Sequence, residues 1–302
     1  AKEKRLNRLV VASCTPRTHE PLFQETLREC GLNPYLFAMT NIRDQCSWVH
    51  RDDPVAATAK AVDLMHMAVG RARRLRALET GLLRVTQSGL IVGGGLAGMT
   101  AALSLADQGF NVHLVEKEAQ LGGNLRHIRH TLEGGDVAKF LADLVERTMN
   151  HPRITVHLSA ELKKFSGHVG NFTSVIARDG QEITVKHGAT ILAAGGAERQ
   201  TDLYLNGKSP RVVTQRQCEQ MLADDKLGEK LGSSQSPTIV MIQCVGSRND
   251  ENAYCSRVCC SEAVKNALEI RKRMPLARVI VLGKDIRTYG FRESYFQQAR
   301  QA

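Results

Sequence analysis

An α/β fold is predicted for this chain of 302 residues, and three observations predict it. Apolar strand-like runs alternate with amphipathic helical patterns, a glycine cluster sits between one such strand and the next helix, and a stretch of short alternating segments interrupts the series. Alternating strands and helices build parallel sheets, because a parallel connection needs a long crossover. The interruption predicts a small inserted antiparallel meander.

From the N-terminus, Leu6 to Ser13 reads as a buried strand and Thr18 to Cys30 as a helix stopped by Gly31. Tyr35 to Met39 reads as a short strand. Pro54 to Leu78 carries Val55, Ala59, Val62, Met65, Val69, Ala72 and Leu75 at helical spacing. Together these predict an N-terminal α/β segment over residues 1–84. A second domain is expected over 85–236: strand Leu90–Val92, helix Met99–Gln108, strand Asn111–Glu116 and helix Val137–Met149. The meander is assigned to Thr155–Leu158, Phe172–Arg178 and Glu182–Lys186, with Asp179-Gly180 as the turn between the last two. Thr190 to Ala194 is again an apolar strand, ending in Gly195-Gly196, and Ser233 to Pro237 reads as a polar linker. A third unit over 237–302 holds strand Thr238–Gln243, helix Ser256–Met274 and strand Arg278–Leu282. The chain begins without Met shortly before a strand and stops within the helical pattern Glu293–Arg300, so a fragment of a longer protein is expected.

Composition excludes several classes. Lysine and arginine number 41 against 31 acidic residues, a net charge of +10 without a basic block. That spread suits acidic partners or phosphorylated cofactors. Aromatic residues are too few to interleave with the basic ones as base-stacking platforms, which argues against nucleic acid. No stretch approaches the roughly 20 apolar residues of a membrane span. Eight cysteines without a secretory leader suggest reduced, metal-binding or redox thiols in a cytoplasmic protein.

Gly93-Gly94-Gly95-Leu96-Ala97-Gly98 matches G-x-G-x-x-G between a strand and a helix. The first glycine permits the tight turn, the second lets backbone approach a pyrophosphate, and the third lets helix and strand pack closely. Glu116 ends the next strand, about 20 residues on, where a carboxylate accepts hydrogen bonds from ribose hydroxyls. Strand, helix and acid in register predict a Rossmann-like dinucleotide site. Glu118-Ala119-Gln120-Leu121-Gly122-Gly123-Asn124 extends the acidic strand end into a glycine pair, a pattern that resembles flavoprotein disulfide reductases of the thioredoxin-reductase type. Thr190 to Gly196 resembles the second flavin-contact strand of those enzymes, with Ala194 where threonine is more usual. The resemblance favours FAD over NAD and assigns it to Gly93, Gly95, Leu96, Ala97, Gly98, Glu116, Lys117, Gly122, Gly123, Asn124, Ala194 and Gly195. Ordinary turns remain the competing account of Gly122 and Gly195.

Cys244, Cys255, Cys259 and Cys260 place four thiols within seventeen residues. Four thiolates are what a [4Fe–4S] cluster needs. Cys255 and Cys259, four apart at a helix start, would share one face. Structural zinc favours paired C-x2-C knuckles, which adjacent cysteines fit poorly, and thiols that bind nothing are the third alternative. No second glycine fingerprint follows the strand Thr238–Gln243, so no nicotinamide site is visible. Lys265, five residues after Cys260, places a cation beside flavin or cluster, or else is an exposed helix lysine. Cys14 reads as a reactive thiol, a ligand or a buried residue; Cys30, Cys46 and Cys218 read as core.

Together these motifs resemble the A-type iron–sulfur subunit of heterodisulfide reductase. The similar stretches are Val10–Phe23, Gly31–Phe37, Asn41–His50, the glycine fingerprint, Gln243–Arg248, Tyr254–Cys260 and Asp285–Phe291. The resemblance implies an FAD-containing iron–sulfur oxidoreductase component that relays or bifurcates electrons towards a disulfide or low-potential acceptor. It implies a cluster on Cys244, Cys255, Cys259 and Cys260, other iron–sulfur subunits as partners, and a hydrogenase or dehydrogenase module beside them in an oligomeric complex. Two competing functions stay open: a flavin-dependent thiol–disulfide reductase using Cys259 or Cys260 directly, which the lack of a C-x-x-C or C-x4-C pair disfavours, and a scaffold that binds FAD structurally.

Overall fold

A computed structural model describes residues 6–232 and 235–302; Ser233 and Ser234 of the expected linker lie outside the described residues. The chain divides into two compact units, Ala1–Leu83 and Arg84–Ala302.

In the first unit β1 (Leu9–Ser13) pairs in parallel with β2 (Phe37–Asn41), joined by helix α1 (Pro16–Glu29). The helix starts two residues before the expected Thr18, because Pro16 suits the first turn, where its missing N–H costs nothing. Leu27, Phe37 and Met39 form the core with Phe23. Helix α2 (Pro54–Arg74) is capped by Asp53, whose side chain accepts the Ala56 amide at 2.9 Å. It ends four residues before the expected Leu78. The Arg8 guanidinium takes the Leu75 carbonyl at 3.0 Å and Asn33 Nδ2 takes that of Leu78 at 2.7 Å, so tertiary donors replace the next helical turn.

The second unit opens with β3 (Ser88–Val92), α3 (Leu96–Asp107), β4 (Asn111–Val115), α4 (Val137–Asn150) and β5 (Ile154–His157). Here the structure overturns one expectation. Residues 154–157 are not part of the meander but a parallel edge strand beside β4, Val112 facing Ile154 and Val115 facing His157. Helix α4 is the crossover that makes this pairing parallel. The meander is β6 (Ala160–His168), β7 (Asn171–Arg178) and β8 (Gln181–His187), all antiparallel. Strand β6 escaped the pattern because a register shift between Leu162 and Lys164 breaks its alternation. Asp179 and Gly180 both take positive φ, 50° and 78°, the geometry of a type I′ hairpin turn. β9 (Ala189–Leu192) then returns beside β3, completing the parallel order β5-β4-β3-β9. Ile91 and Leu114 of the sheet pack with Met99, Ala102 and Leu103 of α3 and Leu144 of α4, and Leu90 and Val115 pack with Ile176 and Val185 of the meander.

Two further helices, α5 (Gln215–Ala223) and α6 (Leu227–Leu231), precede β10 (Thr238–Ile242), α7 (Cys259–Arg273), β11 (Arg278–Leu282) and α8 (Glu293–Gln301). β10 and β11 pair in parallel around α7, and Leu222, Met241, Ala263, Ala267 and Ile270 form their core. Helix α7 begins at Cys259 rather than Ser256, because Arg257 stands at φ +64° and cannot continue a right-handed helix upstream. Cys255 therefore lies in a loop and does not share a helix face with Cys259. No helix among the described residues is long and apolar enough to cross a membrane.

Candidate functional site

The strand order reverses at β3, with β4 on one side and β9 on the other. Open α/β sheets bind ligands in the crevice at such a switch point, beyond the carboxyl ends of the strands. Gly93 makes the turn there at φ +111°, its amide donating to the Val115 carbonyl at 2.8 Å. A Cβ on Gly93 would collide with the Ala193 carbonyl, and one on Gly98 with the Gly93 carbonyl, so both glycines are required by close backbone approach. Gly95 differs: nothing lies within 4 Å of where its Cβ would stand. The first turn of α3 contains no acidic residue, and Gly95 offers no side-chain cap. Its amides are left free to face an anion, aided by the helix dipole.

Three other segments meet this turn. The buried Glu116 carboxylate accepts the Gly94 amide at 2.6 Å and the Glu118 amide at 2.9 Å. Each oxygen keeps a second lone pair, so ribose hydroxyls can still be accepted. Lys117 is exposed and leans on Glu118 at 3.7 Å. Gly122 donates to the Gly94 carbonyl at 2.8 Å and bridges to Gly95, while a Cβ on Gly123 would lie 3.2 Å from the Gly95 Cα. Asn124 Nδ2 donates to the Gly196 carbonyl at 2.7 Å, which ties this loop to the strand end carrying Ala194 and Gly195. The Gly93–Gly98 turn, Glu116, the Gly122–Asn124 loop and the strand end at Gly196 thus meet around one open cradle whose free amides suit a diphosphate, whereas Lys117 stands exposed beside Glu118.

The thiols are arranged less tightly. Cys244 follows β10, with Arg248 Nη1 3.8 Å from its sulfur. Cys255 Sγ accepts the Arg257 amide at 3.4 Å, Ser256 Oγ lies 3.7 Å from Cys259 Sγ, and the buried Cys260 Sγ lies 3.9 Å from the Asp285 carbonyl. Burial, more than the neighbouring Cys259 and Cys244, pushes the Cys260 thiol up, against a lowering backbone hydrogen bond at Arg287. All four are free thiols. Among the described residues, no three His, Cys, Asp or Glu side chains stand together as metal ligands, so this arrangement of the loops does not itself fit a cluster. Cys244, Arg248 and Arg257 all take positive φ. Non-glycine residues resist that conformation, and such strain gathers at functional sites.

Lys265 is not an exposed helix lysine. It is 10% exposed and its Nζ lies 2.7 Å from Glu219 Oε2 on α5, a carboxylate only 1% exposed. The other Glu219 oxygen accepts the Arg129 amide at 2.6 Å and the His130 amide at 3.3 Å. Burial, then the Lys265 charge, holds His130 below the usual histidine range against the raising effect of Glu219. Helix α5 also reaches the cradle, Arg216 donating to Asn124 Oδ1 at 3.0 Å. Apolar periodicity in the sequence does not reveal this helix. Its signal was the capping box Thr214-x-x-Gln217, which closes in the structure.

The profile of the NAD(P)-binding Rossmann-like domain matches residues 91–164, from the end of β3 through the turn, α3, β4, α4 and β5 into β6. The chain is 33% identical to the second A-type iron–sulfur subunit of CoB–CoM heterodisulfide reductase from Methanopyrus kandleri, over 98% of this chain and 58% of that protein. It is 33% identical to the A-type subunit of the ferredoxin/F420H2-dependent CoB–CoM heterodisulfide reductase from Methanosarcina acetivorans, over 99% and 49%. The A-type subunits of heterodisulfide reductase are its homologues. The chain spans about half to three-fifths of the length of these relatives. The alignment to the Methanopyrus protein runs over 384 positions, so that relative carries inside the matched region segments that this chain lacks. Among solved structures, L-proline dehydrogenase from P. horikoshii matches with a TM-score of 0.40 and 20% identity, over 72% of this chain and 39% of that one. Thioredoxin reductase from Streptococcus pyogenes matches with a TM-score of 0.27 and 21% identity, over 37% and 32%.

Proposed function

We propose that this chain is the flavin-binding part of a heterodisulfide reductase-type oxidoreductase. The observation that carries the reading is the convergence of the Gly93–Gly98 turn, the Glu116 carboxylate and the Gly122–Asn124 loop on one open helix N-terminus. FAD is the assigned dinucleotide, with its diphosphate against the amides of Leu96 and Ala97 and a ribose on Glu116. When bound, it supplies reversible electron storage. The chain's own residues hold the diphosphate by backbone donors, fix Glu116 in the turn through the Gly94 and Glu118 amides, and tie the flanking strand end down through Asn124.

A [4Fe–4S] cluster on Cys244, Cys255, Cys259 and Cys260 belongs to the same proposal. It is supported by four free thiols, one after β10, one in the loop that follows and two at the start of α7, and by the backbone strain at Cys244, Arg248 and Arg257, and it requires these segments to close further around a metal. Other iron–sulfur subunits, and a hydrogenase or dehydrogenase module, are the proposed partners. A second reading, thiol–disulfide chemistry at Cys259 or Cys260, is favoured by the absence of an assembled ligand set among the described residues.

Anaerobic purification with flavin, iron and sulfide analysis, followed by low-temperature EPR after reduction, tests both. About one FAD and four irons with matching sulfide per chain support the proposal. Flavin without iron moves the chemistry to the thiols, and a chain that takes up no flavin refutes the reading.

A further inference from the structure

We propose that Arg216, with Arg126 and Arg129 beside it, makes the cradle hold reduced flavin more tightly than oxidised flavin, so that these residues raise the potential of the cofactor. The inference rests on the FAD reading above. The sheet fixes the direction in which the dinucleotide runs, since β3 lies between β4 and β9. With a ribose on Glu116 at the end of β4 and the diphosphate on the amides that open α3, the ring system is left to the β9 side. There Asn124 Nδ2 donates to the Gly196 carbonyl at 2.7 Å.

That side is cationic. Arg216 donates to Asn124 Oδ1 at 3.0 Å, Arg126 to the Leu121 carbonyl at 3.3 Å and Arg129 Nε to Gln220 Oε1 at 2.8 Å. All three acceptors are neutral, and none of these guanidiniums stands in an ion pair among the described residues. Their charges meet at one spot: after burial, Arg216, Arg129 and Arg126 hold His127 below the usual histidine range, with Glu198 working against them. Glu262 also faces Arg216, but burial foremost pushes its carboxyl up, which favours its neutral form. Arg216 is half-buried on a helix that is well anchored, Cys218 and Leu222 lying in the core and Gln215 Oε1 accepting Asn266 Nδ2 of α7 at 2.8 Å. A fixed, partly dehydrated charge acts more strongly than a solvated one.

Charge separates the two states of the flavin. The oxidised ring is neutral. On reduction it takes two electrons from a low-potential donor and one proton at N5, and at neutral pH it keeps one negative charge spread over N1 and the C2 carbonyl. Cations on that side stabilise the reduced form alone, and charge near N1 is one way a protein tunes a flavin. Guanidiniums on the diphosphate would behave differently. The diphosphate carries the same charge in both states, so binding would tighten equally and the potential would not move.

The test is an anaerobic dithionite titration of the FAD-loaded full chain against a reference dye, with oxidised-FAD affinity taken from fluorescence quenching. Arg216→Gln should lower the midpoint potential by about 30 mV or more, which is a tenfold loss in the preference for reduced flavin, while oxidised affinity stays within about threefold. Arg216→Lys keeps the charge and should recover most of the shift. Arg126→Gln, which removes no bond to Asn124, should move the potential the same way by less, and Glu198→Gln should raise it. Lys164→Glu on the meander should leave it unchanged. Arg216→Gln at the parent potential, equal losses of oxidised and reduced FAD, or a lysine variant that behaves like the glutamine one overturns the inference. A parent chain that takes up no FAD sinks the functional reading itself, whereas flavin bound at one potential in every variant sinks this inference alone.

Discussion

Replacing Gly98 by alanine separates what the glycine turn does for the fold from what it does for a ligand. The added methyl would overlap the Gly93 carbonyl oxygen, well inside the 3.0 Å that Cβ atoms respect, so strand and helix must part by about an ångström. Neither side yields easily. Gly93 is held by its bond to Val115, and α3 is anchored by Met99, Ala102, Leu103 and Ala106, all buried. Alanine in place of helical glycine gains up to about 1 kcal/mol of helix propensity. Overpacking against a rigid backbone costs roughly 1–3 kcal/mol or more and wins. At about 2–4 °C per kcal/mol for a unit of this size, Gly98→Ala should lower Tm by roughly 4–8 °C and weaken FAD as the turn opens. Gly95→Ala is the counterpart. Its methyl meets nothing in the protein, so Tm should fall by no more than a few degrees while FAD affinity drops at least tenfold, because the methyl would stand where the proposed diphosphate approaches. Thermal melts and flavin-quenching titrations read both variants. A Gly98→Ala protein with parent Tm, or a Gly95→Ala protein with parent FAD affinity, would refute the reasoning.

Lys265→Met leaves the buried Glu219 carboxylate without its cation and should cost about 3 kcal/mol in urea unfolding, near the lower end for a broken buried pair because two amides still bind Glu219; parent stability would contradict a buried pair. His113, His157 and His187 pack between the main sheet and the meander, His113 Nδ1 lying 3.1 Å from His157 Nε2, and burial foremost holds all three below 6.5. The unfolded chain therefore takes up protons first as pH falls, so their contribution is complete above about pH 6.5 and declines below it; the urea midpoint should drop between pH 7.5 and 5.5, and His113→Gln/His157→Gln should flatten the dependence. A midpoint that rises on acidification would show that these rings are charged in the fold. Burial pushes the Cys218 thiol to about 11, so at pH 8 iodoacetamide should label the exposed Cys30 and leave Cys218 unmodified, as read by mass spectrometry; early labelling of Cys218 would show that α5 opens.

The cradle was legible because its signals are local. Gly93, Gly98 and Glu116 are fixed by sequence spacing along a strand, a turn and a helix, and the structure brings them together as that spacing requires. Strand Arg278–Leu282 was read to the residue, since its apolar and β-branched positions between a turn and a glycine leave little choice. The misassigned edge strand shows the limit. Residues 154–157 alternate like any half-buried strand, and nothing within four residues says which neighbour they pair with. Pairing was settled by α4, which carries the chain back across the sheet.

The sequence by itself determined where the backbone turns tightly from strand into an open helix N-terminus, because backbone conformation and close approach at glycines are properties of a few consecutive residues. Only the tertiary structure decided the partners of the charges. Lys265 meets Glu219 from 46 positions away, and Arg248 meets Asp285 from 37. Arg257 and Arg292 are left facing solvent. The charges meet through space, at distances set by how helices and loops pack, and no spacing along the chain encodes that packing directly.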